Sequence, residues 1–100
     1  MADYDPILEQ LFDSSLPTYR HSVFIQYRVP EGSDKNARLG FMKQMERFYN
    51  ERRIPHELWE AIGAIGAQVN NTEFNLLKCI PEIELMLDGD LECVLEQKLN

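Results

Sequence analysis

The side chains that most often perform catalysis or bind metal ions are few in this chain, and they are far apart. The histidines His21 and His56 lie in different parts of the sequence, and the cysteines Cys79 and Cys93 do not form a CxxC pair. Zinc sites use Cys and His ligands at short, regular spacings, which this sequence lacks. We therefore expect no metal ion and no other cofactor.

Other catalytic motifs are incomplete. Ser14 and Ser15 form no recognisable nucleophile pattern with either histidine. Gly63 and Gly66 are not followed by the Lys-Ser/Thr pair of a phosphate loop. The segment Asp88-Gly89-Asp90 lacks the remaining ligands of a calcium loop. The sequence therefore favours a function without catalysis, and we predict that the protein is not an enzyme.

Composition is that of an ordinary globular chain. It has 100 residues, of which 44% are hydrophobic and 27% charged, and this length suits a single compact domain over residues 1–100 without a linker. The opening MADYDPILEQ lacks the basic start of a secretory signal, and no apolar run is long enough to span a membrane. We predict a cytoplasmic protein with Cys79 and Cys93 buried in its core.

The net charge of −7 is unevenly distributed. Residues 1–16 carry four acids and no base, residues 17–72 carry eight bases and six acids, and residues 73–100 carry seven acids and two bases. An acidic balance opposes affinity for bulk nucleic acid or for an anionic membrane. It favours instead a partner protein that has a basic surface.

Three elements are predicted in the first half of the chain. Asp5 followed by Pro6 is typical of a helix start, which predicts a short N-terminal helix. The run HSVFIQYRV at 21–29 alternates β-branched and aromatic residues with others, which predicts a strand. Residues 35–52 have the apolar spacing of an amphipathic helix. Tyr49 lies near the edge of that apolar stripe, and its hydroxyl is expected to reach water.

A second long helix is predicted over residues 55–69. It begins at Pro55, after a residue that avoids helical angles, and its apolar stripe contains Leu58, Ile62, Ile65 and Val69. Trp59 lies beside this stripe on the same side as two glycines, Gly63 and Gly66. Each glycine costs the helix about 1 kcal/mol relative to alanine, so we expect close approach by another backbone. That backbone belongs either to the fold itself or to a partner.

The C-terminal part of the chain allows two interpretations. Residues 70–72 predict a turn, residues 74–80 a strand, and the two alternating runs around Asp88-Gly89-Asp90 a β-hairpin. The competing interpretation has two helices here, with Gly89 as a C-cap and Asp90 as an N-cap. We favour the sheet because it supplies partners for the strand at 21–29.

These elements predict an α+β fold, with all-α as the alternative. A small antiparallel sheet is covered on one face by the two main helices at 35–52 and 55–69, and the short N-terminal helix packs at an edge. The predicted core contains Leu11, Val23, Ile25, Tyr27, Phe41, Met45, Phe48, Leu58, Ile62, Ile65, Leu76 and Leu85.

Two functions are consistent with this pattern. We favour a protein-binding module, an acidic inhibitor or adaptor that engages a basic surface. Its predicted contact residues are Trp59, Gly63, Gly66, Glu82, Glu84, Asp88, Asp90 and Glu92. The alternative is a small nucleic-acid-binding regulator that uses the basic face of the 35–53 helix, through Lys43, Arg47, Arg52 and Arg53. Self-association through Trp59 and its two glycines is compatible with either function.

Overall fold

A computed structural model describes residues 3–89 of the chain. Within this range, a mixed sheet of five strands packs against three α-helices, which confirms the α+β class. In chain order, the elements are β1 (Asp3–Tyr4), α1 (Pro6–Asp13), β2 (His21–Tyr27), α2 (Lys35–Glu51), β3 (His56–Trp59), a 3₁₀ helix (Glu60–Ile62), β4 (Ala64–Val69), α3 (Asn71–Lys78) and β5 (Ile83–Asp88).

The strands lie in the order β1-β5-β2-β4-β3. β2 is the central strand and pairs antiparallel with both β4 and β5, while β3 pairs antiparallel with β4. The short β1 runs parallel to β5 and makes the sheet mixed. The pairing of β2 with β5 is interrupted by a bulge at Gln26 and Tyr27.

One hydrophobic core lies between the sheet and the helices. Val23, Ile25 and Tyr27 of β2 enter it from the sheet, because alternate side chains of a strand point to the same face. The buried apolar side chains of all three helices belong to the same cluster, and they are Leu8, Phe12, Met42, Tyr49, Phe74 and Leu77. The three helices therefore cover one face of the sheet.

Local signals fix the starts of the first two helices as predicted. The Asp5 side chain accepts a hydrogen bond from the amide of Ile7, and Pro6 occupies the first helical position of α1. The Asp34 side chain accepts from the amide of Ala37 at 2.7 Å and begins α2. Each cap satisfies a backbone donor that has no partner inside the helix.

The prediction of a helix over residues 55–69 is wrong. This segment forms β3, the 3₁₀ helix and β4, and Leu58 lies opposite Ile65 across the β3–β4 pair. Two residues of the predicted helical stripe, Ile65 and Val69, also fit period two, because they share the core face of β4 with Ala67. The central strand β2 needs a neighbour on this side, and pairing with β4 outweighs the local helical spacing.

The prediction of a strand over residues 74–80 is also wrong, because most of this segment belongs to α3. Asn70 was interpreted as part of a turn, but it is the N-cap of that helix. The Asn70 side chain accepts from the amide of Glu73 at 2.9 Å, and the Glu73 carboxylate accepts from the amide of Asn70 at 3.0 Å. This reciprocal pair is a capping box, and the spacing of Asn70 and Glu73 was its signal in the sequence.

Several predictions about individual core positions are corrected by the structure. Tyr49 is fully buried and does not reach water. Ile62 and Leu76 were placed in the core, but they are 45% and 44% exposed because their segments have a different secondary structure. Cys79 is an exposed free thiol at the end of α3. Cys93 lies outside the described residues.

The first arm of the predicted hairpin is confirmed as β5, and Gly89 after it has a positive φ of 104°. The second arm lies outside the described residues. Across residues 3–89, no helix has the length and apolar character needed to cross a membrane.

Candidate functional site

The face of the sheet opposite the helices, called here the outer face, has two rows of side chains that cross four or five strands, beside the shorter pair of Ser22 and Gln68. Strand register defines both rows, because directly paired residues point to the same side. The first row runs Leu87, Phe24, Gly66, Glu57 across β5, β2, β4 and β3. The second row runs Asp3, Leu85, Gln26, Ala64, Trp59 from β1 to β3. Neither row contains a basic residue.

An apolar cluster lies at the centre of the outer face. The Trp59 indole stacks on Phe24 with ring centroids 6.1 Å apart and planes at 22°. Phe24 and Ala64 are buried in this cluster, while Trp59 and Leu87 pack against it and are half-buried. The side chains of α1, α2 and α3 belong to the other cluster, so no helix within residues 3–89 covers this one.

Gly66 permits the position of Trp59. A Cβ atom on Gly66 would lie 2.5 Å from Cη2 of Trp59, well inside van der Waals contact. The sequence predicted that another backbone would approach this glycine on a helix, but here the Trp59 side chain itself lies over Gly66 across two paired strands. Gly63 has a different role. It is buried, ends the 3₁₀ helix with a φ of 66°, and lies against Val29.

The predicted acidic contact residues occupy different surroundings. Glu82 lies in the turn before β5, and Glu84 is exposed beside the bulge. Asp88 is hydrogen-bonded to Nε2 of His21 and aligns with Val23, which places it on the side that faces the helices. Asp90 and Glu92 lie outside the described residues. The acids that the register places on the outer face are Asp3 and Glu57, one at the end of each row and both exposed.

The basic residues of the alternative function lie on α2 and just after it. Lys43 pairs with Glu46 at 3.6 Å, and Arg47 pairs with Glu51 at 3.7 Å. The Arg52 guanidinium lies 4.0 Å from the centroid of the Phe48 ring.

Arg53 has a φ of 55° and follows the end of the helix. This basic side is thus interleaved with the carboxylates of Glu46 and Glu51.

Both histidines make polar contacts that tie elements together. His21 contacts the Tyr19 hydroxyl at 3.2 Å through Nδ1 and Asp88 through Nε2. His56 contacts the carbonyl oxygen of Ile54 at 2.7 Å and the Glu46 carboxylate at 2.9 Å. Over residues 3–89, no cluster of three or more His, Cys, Asp or Glu side chains has the geometry to hold a metal ion.

Sequence reasoning missed the apolar part of the outer face. Phe24 and Leu87 were among neither the predicted core residues nor the predicted contact residues, and Leu85 was placed in the core. The available signal was the run Val23-Phe24-Ile25, which is apolar on both sides of the strand. A strand that is apolar on both sides has a second surface to cover.

Comparisons of the chain with protein-family models, with curated proteins and with solved structures found no significant match.

Proposed function

We propose that this protein is a non-catalytic protein-binding module, an inhibitor or adaptor, and that its outer face contacts the partner. The observation that carries this proposal is the apolar cluster of Phe24, Trp59 and Leu87 in a sheet face that ends in acidic residues. Interfaces between proteins commonly combine a central aromatic anchor with a polar rim. Here Trp59 is the anchor, and Asp3 and Glu57 belong to the rim.

The charge of the outer face supports a partner with a basic surface. Its two rows carry carboxylates and no base, and the whole chain has a net charge of −7. A partner with basic residues around an apolar centre complements this surface, and complementary charge speeds association and fixes orientation. Glu84 is exposed at the bulge beside Gln26, but the register places it in neither row.

The compartment belongs to the same proposal. Cys79 is an exposed free thiol, which suits a reducing environment such as the cytoplasm. A second copy of the chain is another occupant to consider for the outer face. Light scattering across a range of protein concentrations distinguishes a dimer from a monomer that awaits a different partner.

A charge-reversal experiment tests the outer face directly. The double variant Asp3→Lys/Glu57→Lys reverses the acids at the ends of the two rows. Its matched control, Asp13→Lys/Glu51→Lys, reverses two exposed acids on α1 and α2 and changes the net charge equally. Affinity capture from native extract, with and without nuclease, identifies bound proteins by mass and supplies the partner whose affinity is then measured with both variants.

We expect the outer-face variant to lose the captured partner and the control to keep it. Equal affinity of both variants for that partner would contradict the use of this face. Loss of all bound material on nuclease treatment would favour the alternative, a nucleic-acid-binding regulator acting through Lys43, Arg47, Arg52 and Arg53. That alternative has less support because Glu46 and Glu51 lie beside two of its four bases.

A further inference from the structure

A cleft of about 610 Å³ opens beside the end of β2, away from the helix-covered core. Its walls are residues 26–33 of β2 and the following loop, Arg38 of α2, Ala61 and Ile62 of the 3₁₀ helix, and Glu84 of β5. Clefts of roughly 300 to 1,000 Å³ are the usual size for small-molecule sites. Most of the residues that line this cleft are neither predicted contact residues nor members of the two rows on the outer face.

Two arginines and two glutamates are among the residues that line the cleft. Arg28 and Arg38 come from β2's end and from α2, while Glu31 and Glu84 come from the loop and from β5. Among residues 3–89, Arg20 and Arg47 have carboxylate partners within 4.0 Å, but Arg28 and Arg38 have none. The four charged groups therefore share one cleft without pairing among themselves.

The walls of the cleft are held by contacts within the fold. The Gln26 amide nitrogen donates to the carbonyl oxygens of Ile62 at 2.7 Å and Gly63 at 3.2 Å. The Ser33 hydroxyl donates to the carbonyl oxygen of Pro30 at 2.6 Å, and Arg38 reaches the carbonyl oxygen of Ala61 at 3.5 Å. These contacts join β2, the 3₁₀ helix and α2. A ligand that enters the cleft would therefore meet a shape that is already formed.

The cleft also offers apolar surface. Ile62 is 45% exposed although its side chain is apolar, and Val29 and Pro30 lie in the same lining. An exposed isoleucine beside two arginines that have no carboxylate partner among residues 3–89 gives a site that can hold an apolar group and an anionic group of one small molecule.

We propose that this cleft binds a small zwitterion, a free α-amino acid with an apolar side chain. Arg28 and Arg38 receive its carboxylate, which matches the forked donors of a guanidinium. Glu31 and Glu84 receive its ammonium group, and Ile62 and Val29 contact its side chain. The balanced charge of the lining disfavours inorganic phosphate, because a multiply charged anion would face two carboxylates.

NMR titration of the ¹⁵N-labelled full chain tests this site. The probe is L-leucine, and three comparators remove one feature each: N-acetyl-L-leucine lacks the ammonium, L-leucinamide lacks the carboxylate, and glycine lacks the side chain. We expect leucine to give saturable shifts of the amides of residues 28, 29, 31–33 and 61–62, and each comparator to bind at least about tenfold more weakly than leucine. Absence of saturable shifts with leucine, or tighter binding of inorganic phosphate at these residues, would overturn the proposal.

Matched variants establish which residues bind the carboxylate. Arg28→Gln and Arg38→Gln are each expected to weaken leucine binding about tenfold, because each removes a charged hydrogen-bond donor. Arg47→Gln is the control, since that arginine is exposed on α2, pairs with Glu51 and does not line the cleft. The ¹⁵N spectrum of each variant verifies folding. Undiminished binding in both cleft variants, or equal weakening in the control, would contradict the assignment.

Discussion

Trp59 covers Gly66 on the neighbouring strand so closely that a Cβ atom at position 66 would lie 2.5 Å from the indole. The indole is held there by its stack on Phe24, which pairs with Gly66 across β2 and β4. Trp59, Phe24 and Gly66 therefore form one cluster on the outer face, in which the two aromatic rings stack and the glycine lies beneath the indole. Its geometry depends on the absence of a side chain at a single position.

The first prediction concerns that position. Gly66→Ala forces the indole out of its stack, and overpacking of this kind costs about 1 to 3 kcal/mol of unfolding free energy. We expect a red shift of tryptophan fluorescence, since Trp59 is the only tryptophan, together with weaker binding of the captured partner. Chemical denaturation followed by circular dichroism measures the loss of stability.

Gly40→Ala is the control for this variant. Gly40 lies inside α2, and a Cβ atom there would have no neighbour within 4 Å. Alanine is preferred over glycine in a helix interior by about 0.5 to 1 kcal/mol, so this variant should be more stable than the original protein. Stability changes of the same sign in both variants would argue against the indole contact as the cause.

A second prediction concerns alkaline pH. The Tyr27 and Tyr49 hydroxyls are 2.6 Å apart in the core, and burial raises the pKa of both phenols well above the ordinary value of 10.0. In the unfolded chain these phenols ionise near that ordinary value. Their contribution to stability is therefore complete below about pH 10 and is lost as the pH rises through their folded pKa values, with a slope of up to about 1.4 kcal/mol per pH unit for each phenol.

Phenylalanine variants measure this contribution. Tyr27→Phe or Tyr49→Phe alone leaves the other hydroxyl buried without its partner and should cost about 1 to 3 kcal/mol at neutral pH. The double variant should lose less than the sum and show a shallower alkaline decline. Urea denaturation between pH 8 and about pH 11 provides the data, with Tyr19→Phe, which removes an exposed phenol, as the control. An unchanged alkaline slope in the double variant would contradict the prediction.

A third prediction concerns Glu9. The Tyr4 hydroxyl donates to its carboxylate at 2.9 Å and Lys78 lies 3.3 Å from it, and these contacts hold the pKa of Glu9 below its ordinary value of 4.5. Because the folded pKa is lowered, the associated stability is present above that ordinary value and is lost as the pH falls through the folded pKa.

Tyr4→Phe tests the first of these contacts while keeping the ring that packs edge-on against Phe74. We expect the Glu9 pKa to rise toward 4.5, as measured by carbon NMR of the side-chain carboxyl group during an acid titration. Lys78→Met should raise it as well, because it removes the second hydrogen bond and the positive charge. A Glu9 pKa that is the same in Tyr4→Phe as in the original protein would show that the hydroxyl contact is absent in solution.

A fourth prediction concerns the start of α3. Asn70→Ala removes the side chain that caps the helix and should cost about 1 kcal/mol of unfolding free energy. Glu73 also binds Arg20 at 2.9 Å, so this cap joins the helix to the segment before β2. Thr72→Ala is the matched control in the same turn because Thr72 is exposed. If both variants lost equal stability by thermal denaturation, the capping box would not be the cause.

The sequence by itself determined the parts of the fold that depend on neighbours along the chain. Asp5 with Pro6 and the cap at Asp34 define the starts of α1 and α2, and the alternation in 21–29 defines β2. These signals are local, because a cap or an alternating face acts within a few residues. The net charge of −7 was also determined by composition.

Only the tertiary structure decided the segment from 55 to 69 and the outer face. The apolar residues of the segment from 55 to 69 fit both a helix and a strand. The pairing of Ile65 with Ile25 on β2 selected the strand. Register then placed Trp59 over Gly66 and beside Phe24, and it placed Asp88 against His21. Such relationships join residues far apart in the chain, and their free energy comes from shared burial and pairing that no local pattern contains.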